Sequence, residues 1–414
     1  MKSQQPIPAS NRIFVNRTLN FNQIKLLGFD MDYTVVTYNV PAFENAAYKI
    51  VRDKLVKIHH LPREILRLEF DSNFIIRGLV IDIEKGDLLK VNRYGYVKKA
   101  SHGTRFLTME EQKEIYQNAG IDWADPRYYI IHTLFSLAEG CIFAQLVSFF
   151  SEKGTLVNFK ELFKQIRVCV DDAHPEGSLK GQVIKYPEQF LIKKPLLIEA
   201  LKKYRKYGKK IALITNSDFE YSRAAMNYCF APFLSEPWRE FFDLIIVAAN
   251  KPIFFQAPVK FLRVDAKTGS LSNFHRPIEW GGIYQGGNAR ALERNLDLTP
   301  SDILYIGDHI YGDVVTLKEA VGWRTGLVIQ EMETEVPMLE KHLHGHPTVL
   351  RKMEEKEALE THFYQLKEQG WKTHRGSHPA QDKQRDVLRE KLGRLDEEIS
   401  HLITEEQKDQ NPFW

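Results

Sequence analysis

IKLLGFDMDYT, residues 24–34, is the stretch on which the fold turns. From Ile24 to Phe29 it lacks the polar alternation of a half-exposed strand, as a strand buried on both faces should. It then delivers two carboxylates, Asp30 and Asp32, which point the same way in extended chain because one residue separates them. Four more runs share the unalternated pattern: IALITNS (211–217), LIIVAA (244–249), ILYIGDH (303–309) and TGLVIQ (325–330). Helical stretches lie between several of them, LIEALKKYRKYG stopping at Gly208 and YGDVVTLKEAVG at Gly322. Strand and helix in alternation predict an α/β core with a parallel sheet and helices on both faces.

The first of these strands ends near Asp32 and the second begins only near Ile211, far more chain than a crossover requires. Residues 40–188 therefore read as an inserted α+β cap, with residues 1–39 and 189–340 forming the catalytic core. Inside the cap, FIIRGLVIDIEKGDLLKVNRYGYVKKA (74–100) reads as strand, turn, strand and turn, with the first turn at Lys85 and Gly86. YYIIHTLFSLAEGCIFAQLVSFF (128–150) reads as a mostly buried helix. Residues 341–414 read as a charged helical extension: REKLGRLDEEISHLITEEQ has apolar residues three and four apart, and KEQGWKTHRGSHPAQDKQRD before it reads as a loop.

Composition narrows the function classes. With 414 residues, 43% of them hydrophobic, the chain exceeds one ordinary domain. Its 57 Lys and Arg against 54 Asp and Glu leave a net charge of +3, too little for sequence-wide nucleic-acid binding. Cys141, Cys169 and Cys229 are odd in number and lack paired-ligand spacing, which argues against disulfides or zinc and for a reducing, cytoplasmic setting. The N-terminus has no apolar signal core, and no apolar run approaches the roughly 20 residues that span a bilayer, so no membrane partner is expected.

Each apolar run ends in polar groups. Asp30 and Asp32 follow the first, Thr215, Asn216 and Ser217 close the second, Lys251 follows the third, and Asp308 and Asp313 follow the fourth. Open α/β sheets place ligand sites at that edge. Carboxylates at two strand ends suit an oxygen-seeking ion such as Mg²⁺, and no soft-metal cluster competes. Thr215 and Ser217 also suit the cap of a following helix, and Lys251 before Pro252 also fits an exposed turn.

Taken in chain order, GFDMDYT, ITNSD, the Lys251 of NKP and GDHIYGD resemble the four motifs of the haloacid dehalogenase superfamily. That resemblance implies a Rossmannoid core, Asp30 as nucleophile, and Asp32 as general acid and then base. It further implies Thr215, Asn216, Ser217 and Lys251 around the phosphate. Mg²⁺ would be held by Asp30, the Asp32 carbonyl and Asp308, with Asp313 in support. More narrowly, DMDYT, TNSD, YQGGN and ILYIGDHIYGD resemble the cytosolic purine 5′-nucleotidases that prefer IMP and GMP, with similarity from about Phe29 to Gln330. The C-terminus KDQNPFW lacks the acidic tail of that family's larger members.

In the cap, QIRVCVDDAHPEGSLK resembles the same family's purine-recognition segment. Arg167, Asp171 and His174, at i, i+4 and i+7, fall on one helical face. By resemblance Asp171 accepts the purine ring N–H, Arg167 and His174 contact the base, Lys180 reaches the phosphate and Phe135 stacks on the base. Arg167 with Asp171 is also the spacing of an ordinary helical ion pair, and Phe135 lies in an apolar stretch where core packing is the default. The resemblance implies a purine nucleoside monophosphate substrate and a homo-oligomer, dimer or tetramer. A nucleoside phosphotransferase, a sugar-phosphatase and a non-catalytic nucleotide-binding regulator are the alternatives.

Overall fold

The computed structural model describes residues 12–16, 18–92, 94–116, 120–173, 178–342, 346–372, 379–407 and 411–413. Contacts divide the chain into two units, residues 17–329 and residues 330–414 with 1–16. The larger unit holds fifteen strands among the described residues, in chain order β1 (Leu26–Phe29), β2 (Thr37–Tyr38), β3 (Val80–Asp82), β4 (Asp87–Val91), β5 (Val97–His102), β6 (Arg105–Phe106), β7 (Tyr128–Ile130), β8 (Leu191–Ile192), β9 (Lys210–Ile214), β10 (Leu244–Val247), β11 (Phe261–Val264), β12 (Leu271–Asn273), β13 (Ile283–Gly286), β14 (Ile303–Gly307) and β15 (Arg324–Leu327).

The central sheet runs β12-β11-β13-β10-β9-β1-β14-β15, so the fold class is α/β. From β13 to β15 all neighbours are parallel. β11 and β12 add an antiparallel edge that sequence pattern did not signal: β12 is exposed along its length, so no buried run marks it. The five unalternated runs supply β1, β9, β10, β14 and β15. The sixth parallel strand, β13, is buried only at Ile283 and Tyr284 and finishes in Gln285 and Gly286. Ile214, Ile246, Phe254, Tyr284, Tyr305 and Trp323 form part of one core cluster against the sheet.

The cap is entered through β2 and left through β8, which pair antiparallel as a two-residue ribbon, Thr37 opposite Ile192 and Tyr38 opposite Leu191. Its own sheet runs β6-β5-β4-β3-β7. Gly86, with φ at +78°, makes the β3–β4 turn at the expected place. The segment after it departs from expectation. Tyr128–Ile130 is not the start of a helix but an edge strand on β3, a use that suits its aromatic and β-branched side chains, and the helix proper is Leu137–Glu152. Counted with its leading turn, Leu134–Glu152 is 19 residues long and apolar enough to cross a membrane, against the sequence expectation; 72% of that window is buried inside the fold. It packs on helices Val40–Ile58 and Phe159–Ala173.

In the smaller unit, helices His346–Lys372 and Pro379–Gln407 pack through Val349, Leu395 and Ile399. The stretch expected as a loop, 367–386, is helical at 367–372 and again at 379–386; the first helix runs through Gly370, and Pro379 opens the second. Residues 373–378 lie outside the described ones.

Glu44, in the first turns of helix Val40–Ile58, is fully buried. Its Oε2 accepts the Ala138 N–H at 2.8 Å, at the start of the buried cap helix, while its Oε1 has no partner. Burial pushes its carboxyl up to about 8. The folded protein thus holds a proton that the unfolded chain releases near the usual carboxylate value, so this group's stabilising contribution is full below about pH 4.5 and is lost as pH rises to about 8. Glu44→Gln copies the protonated form. Thermal melts at pH 5 and pH 8 should show the wild type losing more Tm over that interval than the variant, and parallel curves would mean that Glu44 carries its charge in the folded state.

Candidate active site

Four adjacent strands, β10, β9, β1 and β14, aim their C-terminal ends at one edge of the sheet. Asp30 follows β1 and is 9% exposed; its Oδ1 accepts the Met31 N–H at 2.7 Å and the Lys251 ammonium at 2.9 Å. Lys251, after β10, is also buried and donates to Asp313 Oδ1 and to the Tyr305 hydroxyl, both at 2.8 Å. Burial works against its charge, but Asp30 and Asp313 outweigh that and hold the ammonium well above the ordinary lysine value. Tyr305 in turn donates to the Ile214 carbonyl at 2.9 Å, crossing β1 at Gly28, where a Cβ would lie 2.8 Å from the tyrosine ring. The glycine in LLGFD therefore has a packing cause.

Asp32 is gripped on both oxygens: Tyr38 donates to Oδ1 at 2.6 Å and Ser217 to Oδ2 at 2.7 Å. Burial pushes its carboxyl above the usual range, against those two hydrogen bonds. The loop after β9 is organised around this contact. Thr215 Oγ1 accepts the Ser217 N–H at 3.0 Å, and Asn216 exchanges two hydrogen bonds with the Lys251 backbone, at 2.6 and 3.0 Å. The residue capping helix Phe219–Cys229 is Asp218, not Thr215 or Ser217.

On the other side of β1, Asp308 precedes a π-helical turn, Ile310–Val315, and Asp313 lies within it. Asp313 Oδ2 accepts the His309 N–H at 3.2 Å and lies so close to Gly307 that a Cβ there would be 2.4 Å away. Asp308 is pushed up to about 7 by burial and then by Asp313, opposed by Arg77 and Lys251. Its Oδ2 is buried without a hydrogen-bond partner.

Asp30, Asp308 and Asp313 each bring a carboxylate oxygen within 4.8 Å of the others. Three buried hard oxygens, one of them without a hydrogen bond, with Lys251 inserted among them and Arg77 3.9 Å from Asp308 Oδ2, fit a divalent ion that takes few protein ligands. Asp313 is already committed to Lys251 and His309, which leaves Asp30 and Asp308 as the carboxylates open to a cation. The side chain of Asp32 belongs to the Tyr38–Ser217 grip instead.

The cap residues are placed less uniformly. Lys180 reaches the site edge, paired with Asp218 at 2.8 Å and lying over the Tyr221 ring. Phe135 sits among Tyr33, Phe43 and Tyr38, with ring centroids 4.6, 5.2 and 5.7 Å away. Arg167 and Asp171 do form the i, i+4 ion pair at 3.0 Å, but Arg167 is anchored first to Glu139, only 1% exposed, and to the Tyr129 hydroxyl. Among the described residues no hydrogen bond or ion pair ties Arg167 or Asp171 to the Asp30 cluster. His174 lies outside the described residues.

Tyr38, Tyr305, Asp218, Glu139 and Arg77 also shape the site, and sequence reasoning did not single them out. Asp218 was within reach as the last residue of ITNSD, and Arg77 as the lone charge inside FIIRGLV. The tyrosines carried no signal, since a tyrosine in a buried run is ordinary core.

Known proteins were compared with the chain. Curated relatives are a 5′-nucleotidase domain-containing protein of Dictyostelium discoideum, 28% identical over 333 residues that make up 78% of this chain and 56% of that protein, and the proteins described as 5′-nucleotidase domain-containing protein 2 of Rattus norvegicus and Homo sapiens, each 29% identical over 347 residues and 80% of this chain, covering 62% and 66% of their lengths. The chain thus spans less than two thirds of the curated relatives it matches. Solved structures of a predicted phosphoglycolate phosphatase from Haemophilus somnus and a haloacid dehalogenase-like family hydrolase from Xanthomonas campestris overlap 74% and 73% of the chain and 85% and 81% of their own, at TM-scores of 0.31 and 0.28 and identities of 13% and 11%. Overlap at that level says nothing about substrate. The sequence profile of the 5′ nucleotidase family matches residues 13–414, nearly the whole chain, and the protein belongs to that family.

Proposed function

We propose that the protein is a Mg²⁺-dependent phosphohydrolase that removes the 5′-phosphate of purine nucleoside monophosphates, IMP and GMP before AMP, through an aspartyl-phosphate on Asp30. The observation that carries this is the buried Asp30–Lys251 contact at 2.9 Å beside a carboxyl, Asp32, held on both oxygens by Tyr38 and Ser217.

Lys251 and the Met31 N–H occupy Asp30 Oδ1, leaving Oδ2 to attack phosphorus in line. The bond from phosphorus to the ribose 5′-oxygen breaks as the Asp32 carboxyl gives that oxygen its proton, a role that its burial-raised pKa favours. Water then attacks the aspartyl-phosphate and passes a proton to the Asp32 carboxylate. The phosphorus–Asp30 bond breaks, and inorganic phosphate leaves with both carboxyls restored. Tyr38 and Ser217 keep Asp32 aimed through both half-reactions. Thr215, whose Oγ1 accepts from Ser217, still has its hydroxyl proton to donate to a phosphate oxygen. Asp30, the Asp32 carbonyl and Asp308 would hold Mg²⁺, with Asp313 in support. When bound, the ion offsets the repulsion between carboxylate and phosphate, about 4 kcal/mol for each pair of unit charges 4 Å apart at an effective dielectric near 20.

The base preference rests on Asp171. Glu139 and Tyr129 anchor Arg167, and Arg167 pairs with one Asp171 oxygen, leaving the exposed carboxylate open to a ligand. Hypoxanthine and guanine offer it a ring N–H; adenine does not, and an acceptor left unpaired discriminates strongly.

Phosphate release from IMP, GMP, AMP and a sugar phosphate should be purine-selective, should stop with EDTA, and should be abolished by Asp30→Asn. Turnover surviving that substitution removes Asp30 as nucleophile. Asp171→Ala should lower kcat/KM on IMP by about 10-fold or more, the order expected from losing a hydrogen bond to a charged group, while sparing a small generic phosphate ester. Equal losses on both substrates would detach Asp171 from base recognition.

A further inference from the structure

Arg77 belongs to the cap, three residues before β3, yet its guanidinium ends in the core. Nη1 donates to the main-chain carbonyl of Asp308 at 2.9 Å and stands 3.9 Å from Asp308 Oδ2, and both side chains are 8% exposed. Removing a guanidinium from water to that extent is costly unless the partners in place compensate, so the contact holds its geometry firmly or is not made at all.

A second contact lies beside it. Gly78 N–H donates to the Ile131 carbonyl and Ile131 N–H to that of Leu79, which brings the segments of Arg77 and His132 together where β3 begins and β7 ends. His132 packs edge-on against Tyr311, with ring centroids 4.3 Å apart, and lies 6.0 Å from the His309 ring. Arg77 and His132 together therefore face the segment Asp308–Tyr311, which carries one of the proposed metal ligands. The other cap-to-core ion pair among the described residues, Lys180 with Asp218, is 30% and 52% exposed on its two sides, a setting in which such pairs stabilise little.

We propose that Arg77 is a positioning residue that latches the cap onto the core: its hydrogen bond to the Asp308 backbone makes the closed cap and the ordered Asp308 loop a single event. The proposal deepens the phosphohydrolase assignment, because closure over a nucleotide then coincides with fixing the loop that bears Asp308. Opening is expected to bend at the β2/β8 ribbon, the two points where the chain passes between cap and core. Hydrolysis of a small ester draws on the Asp308 loop but not on closure of the cap, so it should lose less than nucleotide turnover when the latch is removed.

Hydrogen–deuterium exchange on the full chain, without substrate, compares wild type with Arg77→Ala and Arg77→Lys. Arg77→Ala should speed exchange in 37–38, 191–192 and 308–313 while leaving the cap strands β3 to β5 unchanged, and Arg77→Lys, which keeps one donor and the charge, should restore part of the protection. Unchanged exchange in the ribbon and loop overturns the latch, as does loss of protection throughout the cap sheet, which would make Arg77 a folding residue. Kinetics gives the second readout: kcat/KM on IMP should fall about 10- to 100-fold in Arg77→Ala, the range matching loss of one charge-assisted hydrogen bond, and p-nitrophenyl phosphate, which uses the Asp308 loop but not cap closure, should fall by a smaller factor. Equal losses on the two esters would mean that Arg77 acts on the Asp308 loop alone, without coupling it to the cap, and would overturn the latch. A wild type that hydrolyses neither would refute the phosphohydrolase assignment alone, since the exchange measurement needs no turnover.

Discussion

Gathering three buried carboxylates from two strand ends of the sheet is the constraint around which the rest is organised. Asp30, Asp308 and Asp313 would repel one another strongly at such separations, and Lys251 is the group that makes the arrangement tenable. Its ammonium touches Asp30, Asp313 and Tyr305 at once. The glycines nearby follow from that geometry. Gly28 clears the way for the Tyr305 ring, and Gly307 admits the Asp313 carboxylate. A residue with any side chain at either place would displace a partner of Lys251. Three carboxylates face one lysine and the Arg77 guanidinium, an arrangement that a cation would fit.

Much of the scaffold was legible because burial on both faces of a parallel strand leaves a continuous apolar run, and four of the five runs end in the polar group that they carry to the edge; the fifth, β15, is an edge strand of intermediate and exposed residues and carries none. What the pattern missed was structure without that signature. β13 finishes in Gln285 and Gly286, β12 is exposed throughout, and Tyr128–Ile130 reads equally well as the start of a buried helix until β3 is there to pair with it. The charged 367–386 stretch lacks apolar periodicity, and helix formation there depends on local preference and on the neighbouring helix through Val349, Leu395 and Ile399.

The same division holds at the site. Asp30, Asp32, Thr215, Ser217, Lys251, Asp308 and Asp313 could be named because position at a strand end is a local property. Their partners could not. Tyr38 reaches Asp32 from the ribbon that leads into the cap, Tyr305 reaches Lys251 from the interior of β14, and Arg77 reaches Asp308 across 231 residues of sequence. The Arg167–Asp171 spacing was visible, but the anchor that gives it direction, Glu139, sits on another helix and looks like a misplaced charge in an apolar segment. Local chemistry is written in sequence; the aim of that chemistry comes from contacts that only the fold supplies.

The β2/β8 ribbon has a consequence for how such a protein changes over time. Because Tyr38 and Leu191 stand opposite each other, the whole cap begins and ends at one point, and the core sheet closes without any strand from it. A module attached in this way can be lengthened, rebuilt or exchanged for another while every register in the central sheet stays as it is. Selection can therefore alter what the cap admits while the sheet below stays as it is, subject to two conditions: whatever replaces it must bring its two ends together within the width of a strand pair, and must still supply the contact that Arg77 makes with Asp308.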